Sequence, residues 1–196
     1  MIKEFQGKYR FLSNFYPAKV KDYFDIVYPS TEHAFQAAKT LDRDERQKIA
    51  NMSAPGETKR YGKTVKLRPD WETIKLQVMY DLNKQKYERY PELMRALIMT
   101  DPEPLQEGNL WYDFYWGINL RTNTGENHLG KILMRIRQEI KENIIHSNPL
   151  HKKCPSCGHE EDVYGATLFM DDDDIDKCHI IFGSIADFCT KCNKGW

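Results

Sequence analysis

No cysteine occurs in the first 153 residues of this 196-residue chain. No run of about 18 apolar residues occurs anywhere, so the sequence offers no transmembrane helix. Net charge is also missing. The 29 Lys and Arg are balanced by 29 Asp and Glu, which argues against a protein that holds its ligand through phosphate contacts alone. The opening residues, MIKEFQGKYRF, lack an apolar stretch behind a basic start, so the expectation is a cytoplasmic chain without a secretory leader. There is no internal repeat, and the only low-complexity piece is the acidic run Asp171 to Asp174. What is present is a globular composition, 40% hydrophobic and 12% aromatic, long enough for one ordinary domain and a small appendage.

The overall neutrality hides an asymmetry. Residues 151–196 carry five Lys and nine acids, while residues 1–150 carry 24 basic and 20 acidic side chains. All five cysteines also fall after residue 150. The change comes near His146-Ser147-Asn148-Pro149, a polar stretch ending in a helix-breaking proline. A boundary here gives a mildly basic, aromatic body over 1–147 and an acidic, cysteine-rich tail over 148–196.

The body reads as mainly α. Val20 and Ile26-Val27-Tyr28 flank a polar turn and suggest a short hairpin. Ser30 or Thr31 can cap a helix running to about Asp42, with Glu32 near the positive end of its dipole. A second helix is expected over 44–52, broken at Ser53-Ala54-Pro55-Gly56. Asp70 is placed to cap a third, with Trp71, Ile74, Val78 and Leu82 on its apolar face. Pro91 opens a fourth, through about Thr100, with Leu93, Leu97 and Ile98 turned inward. Residues 101–126 read as loop. Asn127 is placed to cap a last helix with Leu129, Ile132, Leu133, Ile136 and Ile140 on one side. At most a small β-sheet is expected beside these helices.

In the tail, Cys154-Pro-Ser-Cys157 and Cys189-Thr-Lys-Cys192 form two C-x-x-C pairs. Two such turns can direct four thiolates at one tetrahedral centre, and in an intracellular chain this spacing favours structural zinc over disulfides. A segment this short also buries too little apolar surface to fold unaided, so metal binding would supply much of its folding energy. The fold class expected is therefore a multihelical domain plus a small zinc-ribbon-like β module. Cys178, in the apolar context Cys178-His179-Ile180-Ile181-Phe182, reads as a buried thiol; His159 and His179 are alternative ligands. The acidic run would repel phosphate, so the tail reads as structural or as a surface for a protein partner.

Two constellations in the body carry chemistry. Glu32, Phe35, Gln36 and Lys39 fall on one helical face. A carboxylate, a ring, an amide and an ammonium on one stripe can grip a polar ligand, although an ordinary solvated face has the same spacing. The loop from Asn109 to Gly117 places Trp111, Tyr112, Phe114, Tyr115 and Trp116 around Asp113 with no helical or strand period. Aromatics can stack on a base while the carboxyl exchanges a proton; a packing loop with Asp113 closing a turn is the other reading. Ser13-Asn14-Phe15 is a third polar-aromatic point. His33 reads as structural.

Taken in order, Phe11-Leu12-Ser13-Asn14-Phe15, the run from Tyr28 to Lys39, Trp71-Glu72 with Gln77-Val78-Met79, Asp113-Phe114-Tyr115-Trp116-Gly117 and Asn127-His128-Leu129-Gly130 resemble the successive motifs of the NADAR (YbiA-like) family. The match covers about residues 3–140, and several dispersed motifs in order are more specific than any one alone. The resemblance implies a mainly helical N-glycosidase without a catalytic cofactor. It carries two substrate classes. One is ADP-ribose attached to guanine in DNA or RNA, released as free base and ADP-ribose. The other is the early phosphorylated ribosylamino-pyrimidines of riboflavin synthesis. Both join a ribose anomeric carbon to an exocyclic amine on a guanine-like ring.

By the same resemblance, Glu32 and Asp113 are the expected catalytic pair. Ser13, Asn14, Phe15, Phe35, Gln36, Lys39, Trp71, Trp116, Gly117 and Asn127 are the expected substrate contacts. The tail lies outside the family pattern. Breaking a ribose C1–N bond builds positive charge on the sugar, so one carboxylate belongs near C1 and a second acid near the departing amine or the ribose hydroxyls. Glu32 is placed at the anomeric side and Asp113 at the base; exchange of the two roles remains open. A non-catalytic nucleotide-binding module is the alternative class, and it would need neither acid. A zinc-ribbon nucleic-acid adaptor is a fourth reading, and the negative tail argues against it.

Overall fold

The structure, a computed structural model, describes residues 1–147, 149–153, 160–164, 188–189 and 194–195. It falls into two compact units, Met1–Gln138 and Glu139–Trp196. Helices dominate and strands are short, as the sequence suggests. Among the described residues no helix is long and apolar enough to cross a membrane.

The first unit opens with a short 3-10 turn (Gly7–Leu12) and an antiparallel hairpin of β1 (Pro17–Lys21) and β2 (Val27–Ser30), with Val20 opposite Tyr28. Alternate residues are buried, and one carboxylate organises the turn. Asp22 accepts from the backbone N–H groups of Phe24 and Ile26, from the Tyr28 hydroxyl at 2.7 Å, and from Arg46 at 2.9 Å.

Ser30 leads directly into α1 (Thr31–Ala37), all of whose residues are buried. The helix stops five residues before the expected end. Asp42 adopts an extended conformation to cap α2 (Arg43–Ala50), accepting from the N–H groups of Asp44 and Glu45, and a residue so placed cannot also continue α1. The carbonyls of Lys39 and Thr40 are instead taken by Arg68 N and Arg46 Nε.

Pro55, expected only to break the chain, sits at the start of a further helix, α3 (Pro55–Tyr61). Its ring pre-sets the helical φ and its missing N–H costs nothing there.

The long helix α4 (Trp71–Arg89) follows. Asp70 precedes it without capping it, because its carboxylate holds the Arg68 guanidinium at 2.6 and 2.9 Å. The buried face of α4 also differs from expectation. Trp71 and Leu82 are buried, but Ile74 and Val78 are half-buried, and Met79, Asn83, Lys86 and Tyr87 fill the core instead. The reason is polar. Asn83 donates to Asn14 Oδ1 at 3.2 Å, and Lys86 donates to the carbonyls of Phe11 and Ser13. The segment 11–14 is thus tied to α4 through its backbone, which an apolar period cannot register.

Helix α5 (Pro91–Ile98) buries Leu93 and Leu97 while Ile98 stays half-buried. The stretch expected to be loop contains a two-residue parallel pair, β3 (Gly108–Asn109) and β4 (Ile118–Asn119). The final helix α6 (His128–Ser147) buries Leu129, Ile132, Leu133, Ile136 and Ile140 as its periodicity indicated.

In the second unit, β5 (Pro149–Lys153) pairs antiparallel with β6 (Glu160–Tyr164), and β7 (Phe188–Cys189) with β8 (Lys194–Gly195). Of the expected zinc ligands, Cys154, Cys157 and Cys192 lie outside the described residues, as do Cys178, His159 and His179; Cys189 closes β7.

Candidate active site

The first turn of α1, the N-terminal end of α4 and the β3–β4 loop open onto one cavity of about 550 Å³, large enough for a nucleotide-sized ligand. Both expected acids line it.

Glu32 is 5% exposed. Its backbone N–H donates to Asn14 O at 3.0 Å, and its Oε1 accepts from Gln36 Nε2 at 2.8 Å, one helical turn on. Burial pushes its pKa above the ordinary glutamate value. The ammonium of Lys59, the Gln36 amide and Lys39 oppose that rise, and Asp113 adds to it.

Asp113 is held by its neighbours in the loop. Its N–H donates to Asn109 Oδ1 and its carbonyl accepts from Asn109 Nδ2, at 3.0 and 2.9 Å. Its Oδ1 caps the next turn, accepting from Trp116 N at 3.0 Å, and its Oδ2 lies 3.7 Å from Lys59 Nζ. Asp113 therefore closes a turn and lines the cavity at once.

The wall opposite is aromatic. The Phe35 ring lies 5.1 Å from Trp71 and 5.2 Å, edge-on, from Trp116. Tyr115 packs edge-on against Trp116, with Lys75 Nζ 4.1 Å above its ring. Ser13, Asn14 and Phe15 complete one side. Lys39 lines the cavity with its Nζ donating to Gly62 O at 3.3 Å. Burial lowers the Lys39 pKa, and Glu32 opposes that. The loop aromatics do not act as one group. Tyr115 and Trp116 pack inward, while Trp111 and Tyr112 stand 58% and 63% exposed; Trp111 also reaches the cavity rim.

Gly117 and Asn127 are not on the cavity surface. They brace its floor. A Cβ on Gly117 would come 2.1 Å from the Glu107 carbonyl oxygen. Asn127, just before α6 at φ +53°, accepts from Glu107 N at 3.1 Å and donates to Leu105 O at 2.8 Å. The sequence reading had given Asn127 a capping role; its side chain turns to the β3 segment instead. His33 is buried with Nδ1 2.8 Å from Ser30 Oγ, a structural placement.

Several lining residues, Lys59 and Glu107 among them, were not singled out from the sequence. Lys59 comes from α3, whose opening proline was the available signal. Glu107 directly precedes β3 and carries no local signal of its own. Among the described residues, no group of three or more His, Cys, Asp or Glu gathers in a way that could hold a metal ion.

The NADAR domain model matches residues 2–141, which contain every one of these side chains. The chain belongs to the NADAR family. N-glycosidase YbiA of Escherichia coli (strain K12) is 37% identical over 116 residues, 58% of this chain and 71% of that protein. The riboflavin biosynthesis protein PYRR, chloroplastic, of Zea mays is 36% identical over 146 residues, 65% of this chain and 23% of that longer protein. The NMR structure of E. coli YbiA superposes with a TM-score of 0.64 at 34% identity, covering 73% of this chain and 86% of that one. The NADAR match leaves the second strand pair, β7–β8, and the cysteine pairs outside it.

Proposed function

We propose that the cavity hydrolyses the bond between a ribose anomeric carbon and an exocyclic amine on a guanine-like ring, with ADP-ribosylated guanine in DNA or RNA as the substrate. The broader statement, that this NADAR chain is a hydrolase of N-glycosyl compounds, follows from its family and from relatives named N-glycosidases. One observation supports C1–N hydrolysis at this site. Glu32 on α1 and Asp113 in the β3–β4 loop, 81 positions apart in sequence, share one aromatic-walled cavity with Lys59 beside Asp113.

In this reading Glu32 faces the anomeric carbon. As a carboxylate it stabilises the developing oxocarbenium charge and takes a proton from the attacking water. Asp113 accepts from ribose hydroxyls or from the base. Trp71, Phe35 and Trp116 wall the sugar and base, Lys39 answers a phosphate, and Asn14 and Gln36 fix hydroxyls. The exposed Trp111 at the rim, with exposed Tyr112 next to it in the chain, offers a stacking face for neighbouring bases of a strand.

The phosphorylated ribosylamino-pyrimidines of riboflavin synthesis are a second reading. The maize relative's name favours them, and they present the same bond to the same acids. Incubating the protein separately with an ADP-ribosylated guanine oligonucleotide and with a ribosylamino-pyrimidine phosphate, with products identified by mass, decides between them. Release of ADP-ribose from the oligonucleotide at the higher kcat/KM is expected. Preference for the small pyrimidine transfers the assignment to the second reading, and cleavage of neither removes both.

Lys59 gives a test through pH. Its charge lowers the pKa of Glu32, so removing it moves that pKa up, away from the ordinary carboxylate range. A base with a raised pKa is protonated over more of the acid side. Lys59→Met should therefore shift the acid limb of the pH–rate profile to higher pH by about one unit or more and lower kcat/KM on that limb by about tenfold. An unmoved limb would show that Lys59 does not set the ionisation of the working base.

For the tail, the reading is structural zinc held by Cys154, Cys157, Cys189 and Cys192, in a reducing, cytoplasmic setting. Its support is the paired C-x-x-C spacing. The acidic run then serves a protein partner rather than a phosphate. Protein purified without chelator should carry about one equivalent of zinc, and less than about half an equivalent would contradict the site.

A further inference from the structure

Besides Glu32 and Asp113 the cavity is lined by Glu72, which pairs with Lys75, and by Glu107, which the reading above leaves without a task. Its Oε2 is sealed from solvent and has no hydrogen-bond partner. Its backbone, by contrast, is clamped on both sides. The N–H donates to Asn127 Oδ1 at 3.1 Å, and the carbonyl accepts from Ile118 N at 2.9 Å. Gly117 presses so closely on that carbonyl that no side chain fits. A buried carboxyl oxygen left unsatisfied is costly. Glu107 itself is half-buried and lines the cavity from a clamped segment, the arrangement expected of a group kept for a ligand.

The charges around it settle its form. Lys59 on α3 and Lys86 on α4 favour the anion, whereas Glu32 on α1 and Asp113 in the β3–β4 loop oppose it. Burial outweighs all four and pushes the pKa up to about 8. Lys86 is itself buried and spends its donors on the carbonyls of Phe11 and Ser13. Lys59 is the cation of the cavity nearest Asp113. Burial thus favours the protonated form of Glu107 near pH 7.

We propose that Glu107 is the proton donor to the departing exocyclic amine. This rests on the C1–N hydrolysis reading above and deepens it. An amine is a poor leaving group unless protonated, so its departure needs an acid within reach. Water adds to C1 and gives a proton to Glu32. The C1–N electron pair passes to the amine nitrogen, which takes the proton from Glu107. Solvent then returns a proton to Glu107 and removes one from Glu32. One water is consumed, and the products are the free amine and the ribose hemiacetal. Asp113, facing Lys59 and the Trp116 N–H, keeps the acceptor role toward ribose hydroxyls. Gly117 and Asn127 enter as positioning residues that aim Glu107.

The test uses the full chain, Glu107→Gln, and two substrates. One carries the guanine amine as leaving group; the other is a nitrophenyl riboside phosphate, whose leaving group departs without a proton. For the amine substrate kcat should fall at least about a hundredfold, and the alkaline limb near pH 8 should vanish. For the nitrophenyl substrate kcat should change less than about threefold, because no acid is needed. Equal loss on both substrates overturns the proposal and leaves a structural role. Failure of the wild-type chain on both substrates instead removes the C1–N reading, and the proposal with it. Infrared difference spectra of wild type minus Glu107→Gln supply a readout independent of turnover. A protonated carboxyl band present at pH 6.5 should disappear as pH rises through about 8. Absence of that band at pH 6.5 overturns the proposal whatever the kinetics.

Discussion

Glu32→Gln should leave the fold intact and lower turnover at least about a hundredfold. The amide keeps the shape of the carboxylate and can still accept from Gln36 Nε2, now 2.8 Å away. It cannot take a proton from water or offset charge on an oxocarbenium. The expected stability effect has the opposite sign. Burial raises the Glu32 pKa in the folded state. A carboxyl with a raised folded pKa contributes its stability below its unfolded pKa and loses it as pH rises through the folded one. At pH 7, above the unfolded pKa, the buried carboxyl therefore costs stability, and the amide relieves that cost. The variant should melt no lower than wild type at pH 7 while turning over far more slowly, the usual relation at a site where function is bought against stability. Turnover within about tenfold of wild type would place Glu32 away from the reacting carbon.

Arg46→Met should lower unfolding free energy by about 3–5 kcal/mol, the range for removing one member of a buried ion pair. Arg46 is fully buried and Asp22 nearly so, with Nη1 to Oδ2 at 2.9 Å. The guanidinium also donates from Nε to Thr40 O at 2.7 Å and lies about 5 Å over the rings of Tyr23 and Phe24. Without it, Asp22 keeps its two backbone donors and Tyr28 but loses its counter-charge in a buried setting. Replacing both members, Arg46→Met with Asp22→Asn, should recover part of the loss, because no uncompensated charge is left behind. Urea unfolding midpoints measure both. A loss below about 1 kcal/mol for the single variant would mean that the pair is not sealed from water.

Much of this fold was legible because it follows local rules. The hairpin shows in the alternation around a polar turn, and α6 in five apolar residues at helical spacing. The misreadings share a cause. Asn83 and Lys86 are core residues of α4 because Asn83 donates to the Asn14 side-chain oxygen and Lys86 to the Phe11 and Ser13 carbonyls, and hydrophobic periodicity counts them as surface. Helix α1 is shorter than its pattern because Asp42 serves the next helix. Helix α3 was hidden because a Pro-Gly pair reads as punctuation before it reads as a start.

The candidate site divides in the same way. Glu32 and Asp113 stand out as acids in unusual local company, and the family motifs name them. Lys59 and Glu107 have ordinary neighbours in sequence. Their importance lies in the burial of Glu107 and in the charge of Lys59 beside Asp113, which come together only once the chain has folded. Gly117 and Asn127 carry family motifs yet act one step back, through Glu107, a distinction that only the close approach of Gly117 to a carbonyl oxygen reveals.

The most direct measurement of the central claim is isotopic. Wild-type protein acts on ADP-ribosylated guanine oligonucleotide in heavy-oxygen water, and both products are weighed. Attack of water at the anomeric carbon predicts one heavy oxygen in the released ADP-ribose, measured before the anomeric hydroxyl exchanges, and none in the guanine product. Heavy oxygen in a phosphate group, or in the base, would contradict it.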